Sequence, residues 1–363
     1  MTPPRHRNQP LKGHGALSNP AGRFEREQRE AVDDGWYQEE VPDFIPTSIE
    51  PDRARSVITR NDSPDIPFEQ SINPYRGCSH GCVFCYARPS HSYVGLSPGL
   101  DFETRLLYKK DAGKVLEGEL AKPGYACKPI TLGANTDPYQ PIERKMRVTR
   151  EILEVLARCR HPVTIITRSA LVLRDLDLLA DLARDGLAGV GISITTLDVE
   201  LKRVMEPQAA SPRARLEAVK RLSNAGVPTG VMVAPVIPAL TDHEMEAILE
   251  ASAAAGARWA AYVLLRLPYE VKDLFREWLA ARYPDRADRV MSLVRQMRGG
   301  KDYEASFGTR MRGTGPLAGL LRGRFQIACR RLGLGTGRHQ PPDITLFRPP
   351  RRDRSGPQLT LEL

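Results

Sequence analysis

No uninterrupted apolar run in the chain approaches the ~20 residues that a membrane-crossing helix needs, so no membrane partner is expected. The opening residues, Met1-Thr-Pro-Pro-Arg-His-Arg, lack the apolar segment of a secretory signal, which leaves a reducing, cytoplasmic location as the expectation. Cysteine is scarce, six in 363 residues, and a chain of this length does not depend on disulfide staples to build a core. No Ser-His-Asp or paired-carboxylate arrangement stands out, so ordinary hydrolysis has no visible machinery. Outside its C-terminal region the chain also lacks net charge. Of the formal +9, residues 295–338 carry ten Lys or Arg against only Asp302 and Glu304, and residues 339–363 add four Arg against three acids. The stretch 295–338 would favour a polyanionic partner such as nucleic acid, although an arginine-rich solvated surface has the same composition.

With 41% hydrophobic and 27% charged residues, the composition is that of a globular protein large enough for one domain plus an accessory region. Residues 1–45 show no apolar period and are expected to form a disordered lead-in, with 46–70 an extended approach to the core. Short apolar, β-branched runs then alternate with amphipathic stretches of helical length. Strands are predicted over 69–75, 129–133, 163–167, 189–195, 229–234 and 259–265, and helices over 143–158, 171–184, 212–225, 242–255 and 271–281. Gly186, Gly226 and Gly256 fall just after helices as stop signals, and Thr241-Asp-His-Glu resembles a capping box. Six strand–helix units imply parallel pairing, which periodicity alone leaves open between a partial barrel and a doubly wound sheet. Residues 271–340 read as a basic helical region and 341–363 as a flexible tail.

Half of the cysteines lie within eight residues, in Asn73-Pro-Tyr-Arg-Gly-Cys78-Ser-His-Gly-Cys82-Val-Phe-Cys85-Tyr-Ala-Arg88. Thiolates spaced C-x3-C-x2-C converge on one centre without help from distant chain, and Gly77 and Gly81 give the loop its freedom to wrap. A [4Fe-4S] cluster ordinarily takes four thiolates, so three leave one iron open to a small molecule. A zinc site would need a fourth ligand, for which His80 or His91 is at hand. Cys127, Cys159 and Cys329 are isolated and read as small buried apolar residues.

The cysteine spacing, with the aromatic Phe84 before the last cysteine, resembles the cluster loop of the radical S-adenosylmethionine (SAM) enzymes. The wording Asn-Pro-Tyr-Arg-Gly-Cys-x-His-x-Cys-x-Phe-Cys-Tyr-Ala-Arg, with Thr136-Asp-Pro-Tyr-Gln-Pro, is similar to the subgroup related to spore photoproduct lyase. The resemblance covers roughly residues 68–270 and implies a (β/α)6 partial TIM-type barrel over 46–270 with the basic helical extension behind it. It further implies that Cys78, Cys82 and Cys85 hold a [4Fe-4S] cluster whose open iron binds SAM, and that a flavodoxin or ferredoxin supplies the electron. The chemistry implied is reductive cleavage of SAM to a 5′-deoxyadenosyl radical that acts on an unknown substrate.

In parallel barrels the reactive groups gather at the C-terminal ends of the strands. Asn135, Thr136 and Asp137 follow the second strand and can offer oxygen acceptors to the SAM ammonium, in place of the family's glycine-rich form. Ser193 and Thr195 share one face of the fourth strand and would point at the ribose or carboxylate. Arg215, in the first turns of a Ser-Pro helix start, is the candidate for the carboxylate. Cys127 and Cys159 precede strands and belong at the opposite face, too far for hydrogen transfer. Two other classes remain: an electron-transfer protein with an ordinary cluster, and a zinc-stabilised nucleic-acid-binding module.

Overall fold

The computed structural model describes residues 10–25, 45–336 and 343–350. Among them ten strands form two sheets: β1 (Ser48–Asp52), β2 (Ile58–Arg60), β3 (Gln70–Ile72), β4 (Tyr75–Arg76), β5 (Arg105–Lys109), β6 (Ile130–Leu132), β7 (Val163–Thr167), β8 (Ala188–Ser193), β9 (Thr229–Val236) and β10 (Trp259–Leu264). The large sheet runs β10-β9-β8-β7-β6-β3-β2, and the small one β1-β5-β4. From β3 to β10 every pairing in the large sheet is parallel; only β2 runs antiparallel to its neighbour. The fold is a partial TIM-type barrel of six parallel strands with helices in the crossovers, as the periodicity and the family resemblance together implied.

The alternation that marked the strands becomes the core. Ile130, Leu132, Val163, Ile165, Val190, Ile192, Val231 and Val233 are all buried, and Ile152, Leu153 and Leu156 of the helix Val148–Arg158 close over them. Each such side chain contributes roughly 1.5–3 kcal/mol on burial. Gly230 stands in β9 opposite Trp259 of β10, where a Cβ would lie 2.0 Å from the indole ring. Only glycine lets that ring lie flat on the neighbouring strand.

Several boundaries differ from the sequence reading: the strand expected over 69–75 is divided between β3 and β4, and 171–184 and 242–255 each open with a 3-10 turn. The stretch 143–158 is two helices, Glu143–Met146 and Val148–Arg158, broken where Arg147 takes φ 55°. Thr241 does not cap the helix that follows; its hydroxyl accepts from Ile237 N instead, and Glu244 reaches across to Thr196 and Leu197 N. Of the lead-in expected to be disordered, residues 10–25 are packed, with Leu11, Ala16 and Leu17 buried; residues 1–9 and 26–44 lie outside the described residues.

The C-terminal region forms three helices, Val271–Arg282, Pro284–Gln296 and Gly315–Arg331. Much of its positive charge is engaged by the barrel. Arg310 pairs with Asp65 at 2.6 and 2.8 Å, Arg324 with Glu246 at 2.6 and 2.8 Å, and Arg331 with Glu250. Arg298 is buried and donates to Thr309 O, Arg310 O and Leu265 O. Part of the tail expected to be flexible is also placed: Phe347 packs edge-on to His161 and beside Tyr125, and Arg348 N donates to Cys159 O. Residues 351–363 lie outside the described residues.

His161 is fully buried beneath this plug, with Nδ1 3.0 Å from Pro162 O and Nε2 2.9 Å from the Tyr125 hydroxyl, which donates to Gln70 Oε1. Burial holds its pKa down from 6.5 to about 4, so the native chain keeps it neutral where the unfolded chain would protonate it. The unfolded state therefore binds more protons between those values, and stability falls as pH drops from 6.5 towards 4, by about 1.4 kcal/mol per pH unit for one such group. His91 has the same sign and window. His161→Gln should reduce the slope of urea-unfolding free energy against pH in this range; an unchanged slope would show that His161 is protonated in the native state.

Candidate cluster and cofactor site

The loop that follows β3 is shaped by two glycines in the left-handed region, Gly77 at φ 74° and Gly81 at φ 68°. A Cβ on Gly77 would meet Leu106 at 2.8 Å and Phe102 O at 2.9 Å, so the loop lies too close to the β5 segment for any other residue. Its backbone is sewn to the ends of neighbouring units. Cys78 N donates to Phe102 O, Val83 N to Met205 O and Gln208 N to His80 O. Buried Gln140 clamps the loop from β6's side, accepting from Ser79 N and donating to Gly77 O.

Beneath the loop lies Arg88, wholly buried, with its guanidinium saturated. It donates twice to Cys82 O, at 3.0 and 2.9 Å, and also to Pro98 O, Gly99 O and the Glu103 carboxylate. Glu103 in turn accepts from Gly15 N, Ala16 N and His14 Nδ1, which ties residues 10–25 to the underside of the loop. Gly15 lies so near that a Cβ would stand 1.9 Å from Gly81 O. Although burial opposes it, the facing Arg88 charge and these donors hold the Glu103 carboxyl below its ordinary range.

Cys78 and Cys82 are buried and Cys85 is partly exposed. Burial pushes the Cys82 thiol up to about 12 even with Arg168 beside it, and lifts Cys78 well above its usual value. Cys82 and Cys85 also lie close enough to add to the rise at Cys78, and Cys85 to that at Cys82. Three crowded thiolates, two of them buried, are unfavourable unless a cationic centre compensates them, and this donor set fits a metal cluster. Among the described residues no three His, Cys, Asp or Glu side chains converge as ligands of a single ion. In a cubane each thiolate binds a different iron, and no such convergence is needed.

Around the thiols stand the groups that can meet a small polar ligand. Arg168, the first residue past β7, places Nη1 3.2 Å from Cys82 Sγ and its guanidinium carbon 5.3 Å over the Phe84 ring. Asp137 accepts from Thr167 Oγ1 at 2.6 Å, Arg168 N at 2.8 Å and Tyr139 N at 2.9 Å, with His80 Nδ1 3.4 Å away. Burial disfavours its charge, but His80 and these donors prevail and hold the carboxyl at about 2. Asn135 is half-buried and keeps its side chain at the rim, donating from Nδ2 to Ser90 Oγ at 3.3 Å.

Other sequence candidates are occupied by the fold. Thr136 Oγ1 donates to Tyr75 O, and the hydroxyls of Ser193 and Thr195 both donate to Ala234 O at the end of β9. Arg215 is buried and donates to Ser193 O, Ala210 O and the Glu206 carboxylate. Its guanidinium holds the 206–211 turn to β8 instead of facing open space. Arg168 was missed, although its place immediately after a predicted strand marked it. Cys127 lies just before β6, Cys159 sits under the Phe347 plug, and Cys329 is buried in the helix Gly315–Arg331, all away from the loop.

The family model of the radical SAM superfamily matches residues 72–251, from β3 to the helix Met245–Ala254, and the chain belongs to this superfamily. It is 38% identical over 233 residues to an uncharacterised protein of Mycobacterium tuberculosis, covering 64% of this chain and 68% of that one. A protein of Methanocaldococcus jannaschii, also uncharacterised, is 30% identical over 173 residues, 48% of this chain and 62% of that one. A radical SAM Nalpha-GlyT isomerase of Pseudomonas phage M6 is 23% identical over 271 residues, 73% of this chain and 51% of the isomerase. Among solved structures, spore photoproduct lyase complexed with dinucleoside spore photoproduct superposes with a TM-score of 0.58 at 15% identity, covering 79% of this chain and 81% of the lyase. At that identity the likeness is one of fold. The protein is a radical SAM enzyme.

Glu103→Gln preserves shape but removes the charge opposite Arg88. Breaking a buried pair from one side costs about 3–5 kcal/mol. The variant should unfold at correspondingly lower urea and hold less iron per chain after anaerobic reconstitution. Wild-type values for both would mean that the carboxylate charge does not hold the loop.

Proposed function

We propose that the chain uses Cys78, Cys82 and Cys85 as the sole protein ligands of a [4Fe-4S] cluster and cleaves SAM reductively to act on a substrate that carries phosphate, nucleic acid above all. The observation that supports this most directly is the loop itself: three mutually close thiols, two buried, with a guanidinium 3.2 Å from one of them. A cluster held by these three thiolates would supply the electron that splits SAM into methionine and a 5′-deoxyadenosyl radical. The remaining work belongs to the chain's own residues. Arg168, whose cation faces the thiols, is placed to receive the SAM carboxylate in the role first given to Arg215. Asp137, kept ionised, and the rim residue Asn135 offer acceptors to the ammonium. Buried Ile237, Leu240 and Leu265 pack with Cys82 and Phe84 and keep water from the inner side of the loop. The excess of Lys and Arg over 295–338 supports a polyanionic substrate, and the fold is shared with a lyase whose structure holds a dinucleoside photoproduct. A flavodoxin- or ferredoxin-type reductant and a cytoplasmic location complete the reading.

Anaerobic incubation with SAM and dithionite should yield 5′-deoxyadenosine. Ala at Cys78, Cys82 or Cys85 should abolish both product and iron–sulfur absorbance, whereas Ala at Cys127, Cys159 or Cys329 should leave them intact. Arg168→Ala should keep the absorbance and weaken SAM binding at least tenfold. Zinc in place of iron in anaerobically purified protein, or an intact cluster with no SAM cleavage, would overturn the proposal.

A further inference from the structure

The C-terminal region contains a second polar site that the cluster chemistry does not use. On the outer side of β10, under the helix Gly315–Arg331, a cavity of about 170 Å³ is lined by Tyr262, Arg312, Arg322, Phe325, Gln326 and Thr336. The volume exceeds the ~10–15 Å³ that one water needs and accommodates a small polyatomic ion. Its walls are held by regular structure. Tyr262 packs on Phe325 with ring centroids 4.7 Å apart, and the backbone of Gly335 bridges to β10 through Ala260 N and Arg258 O.

The lining contains no acidic residue. Its polar groups are two guanidiniums, a carboxamide, a threonine hydroxyl and a phenol, each of them able to donate. Most neighbouring arginines are spoken for, Arg298 by carbonyls, Arg310 by Asp65, Arg324 by Glu246 and Arg331 by Glu250. Arg312 and Arg322 have no carboxylate partner among the described residues. Arg312 lies over the Tyr262 ring with its guanidinium carbon 4.4 Å from the centroid, which leaves its N–H edge free for an oxyanion. The Tyr262 hydroxyl supplies an independent sign. The residue is 1% exposed and its oxygen has no hydrogen-bond partner. A buried, unpartnered hydroxyl is costly, and a missing acceptor explains its retention.

We propose that this cavity is a phosphate site in which Arg312 and Arg322 hold the charge while Tyr262, Gln326 and Thr336 donate to the oxygens. A phosphate has the multiple acceptor oxygens and the charge that two planar guanidiniums match. The group can come as a free phosphate or as one phosphate of a nucleic-acid backbone, and the test separates the two. The site is independent of the cluster, so Cys78→Ala protein should bind as the wild type does.

The thermal midpoint of the full chain would be followed against inorganic phosphate, with chloride at matched ionic strength as control. In parallel, a short single-stranded oligonucleotide would be titrated by fluorescence anisotropy. Saturable stabilisation by phosphate, weakened at least tenfold in Arg312→Gln/Arg322→Gln and in Tyr262→Phe, assigns a free phosphate. Oligonucleotide affinity weakened by the same variants, without response to inorganic phosphate, assigns a backbone phosphate. Without ligand, Tyr262→Phe should be at least as stable as the wild type, which separates lost binding from lost folding. Absence of both responses, or equal responses in wild type and variants, would overturn the proposal.

Discussion

A single buried ion pair, Arg88 with Glu103, decides whether the cysteine loop can exist in its present form. Neither charge could remain in a dry interior alone. Together they convert the cost of burial into a bracket: the guanidinium fixes the carbonyl of Cys82 from below, and the carboxylate collects backbone amides from residues 15 and 16. Loop, β5 segment and N-terminal strap thus form one unit. The positive φ of Gly77 and Gly81 and the clamp by Gln140 make sense only against that bracket, since they bring the loop down onto it.

Parallel topology supplies the rest of the site. The six parallel strands of the large sheet end at the same edge, so Asp137 after β6 and Arg168 after β7 arrive beside the thiols from different units. Two carboxylates there keep their charge for different reasons. Asp137 is surrounded by donors from β7 and by His80, whereas Glu206 meets Arg215 through Oε2 and leaves Oε1 without a hydrogen-bond partner, a difference of neighbours and not of residue type.

All six barrel strands were legible because their β-branched runs are buried on a sheet that needs no other signal, and the cysteine spacing was legible because it is local. The Ser211-Pro helix start and the glycine stops also behave as their chemistry dictates. What escaped was long-range pairing. Arg88 was visible in the motif, but nothing local linked it to Glu103, and nothing in the Pro- and Gly-rich first residues announced that their backbone amides would find that carboxylate. Arg215 misled because a cation near a helix start reads as an anion site, while its partner Glu206 lies nine residues earlier and closes it. The partners inside the basic stretch were hidden for the same reason: Asp65 and Glu246, far away in sequence, pair with Arg310 and Arg324.

The strap has a temporal consequence. Residues 10–25 precede their anchors in the chain, Glu103 for Gly15 and Ala16, and Glu277 for Ser18, which donates to it at 2.6 Å. Closing a loop of that length must await the helix Val271–Arg282. The cover over the nascent cysteine loop on this side is therefore completed only after residue 277 has been made, and a segment that precedes the loop is among the last to be fastened.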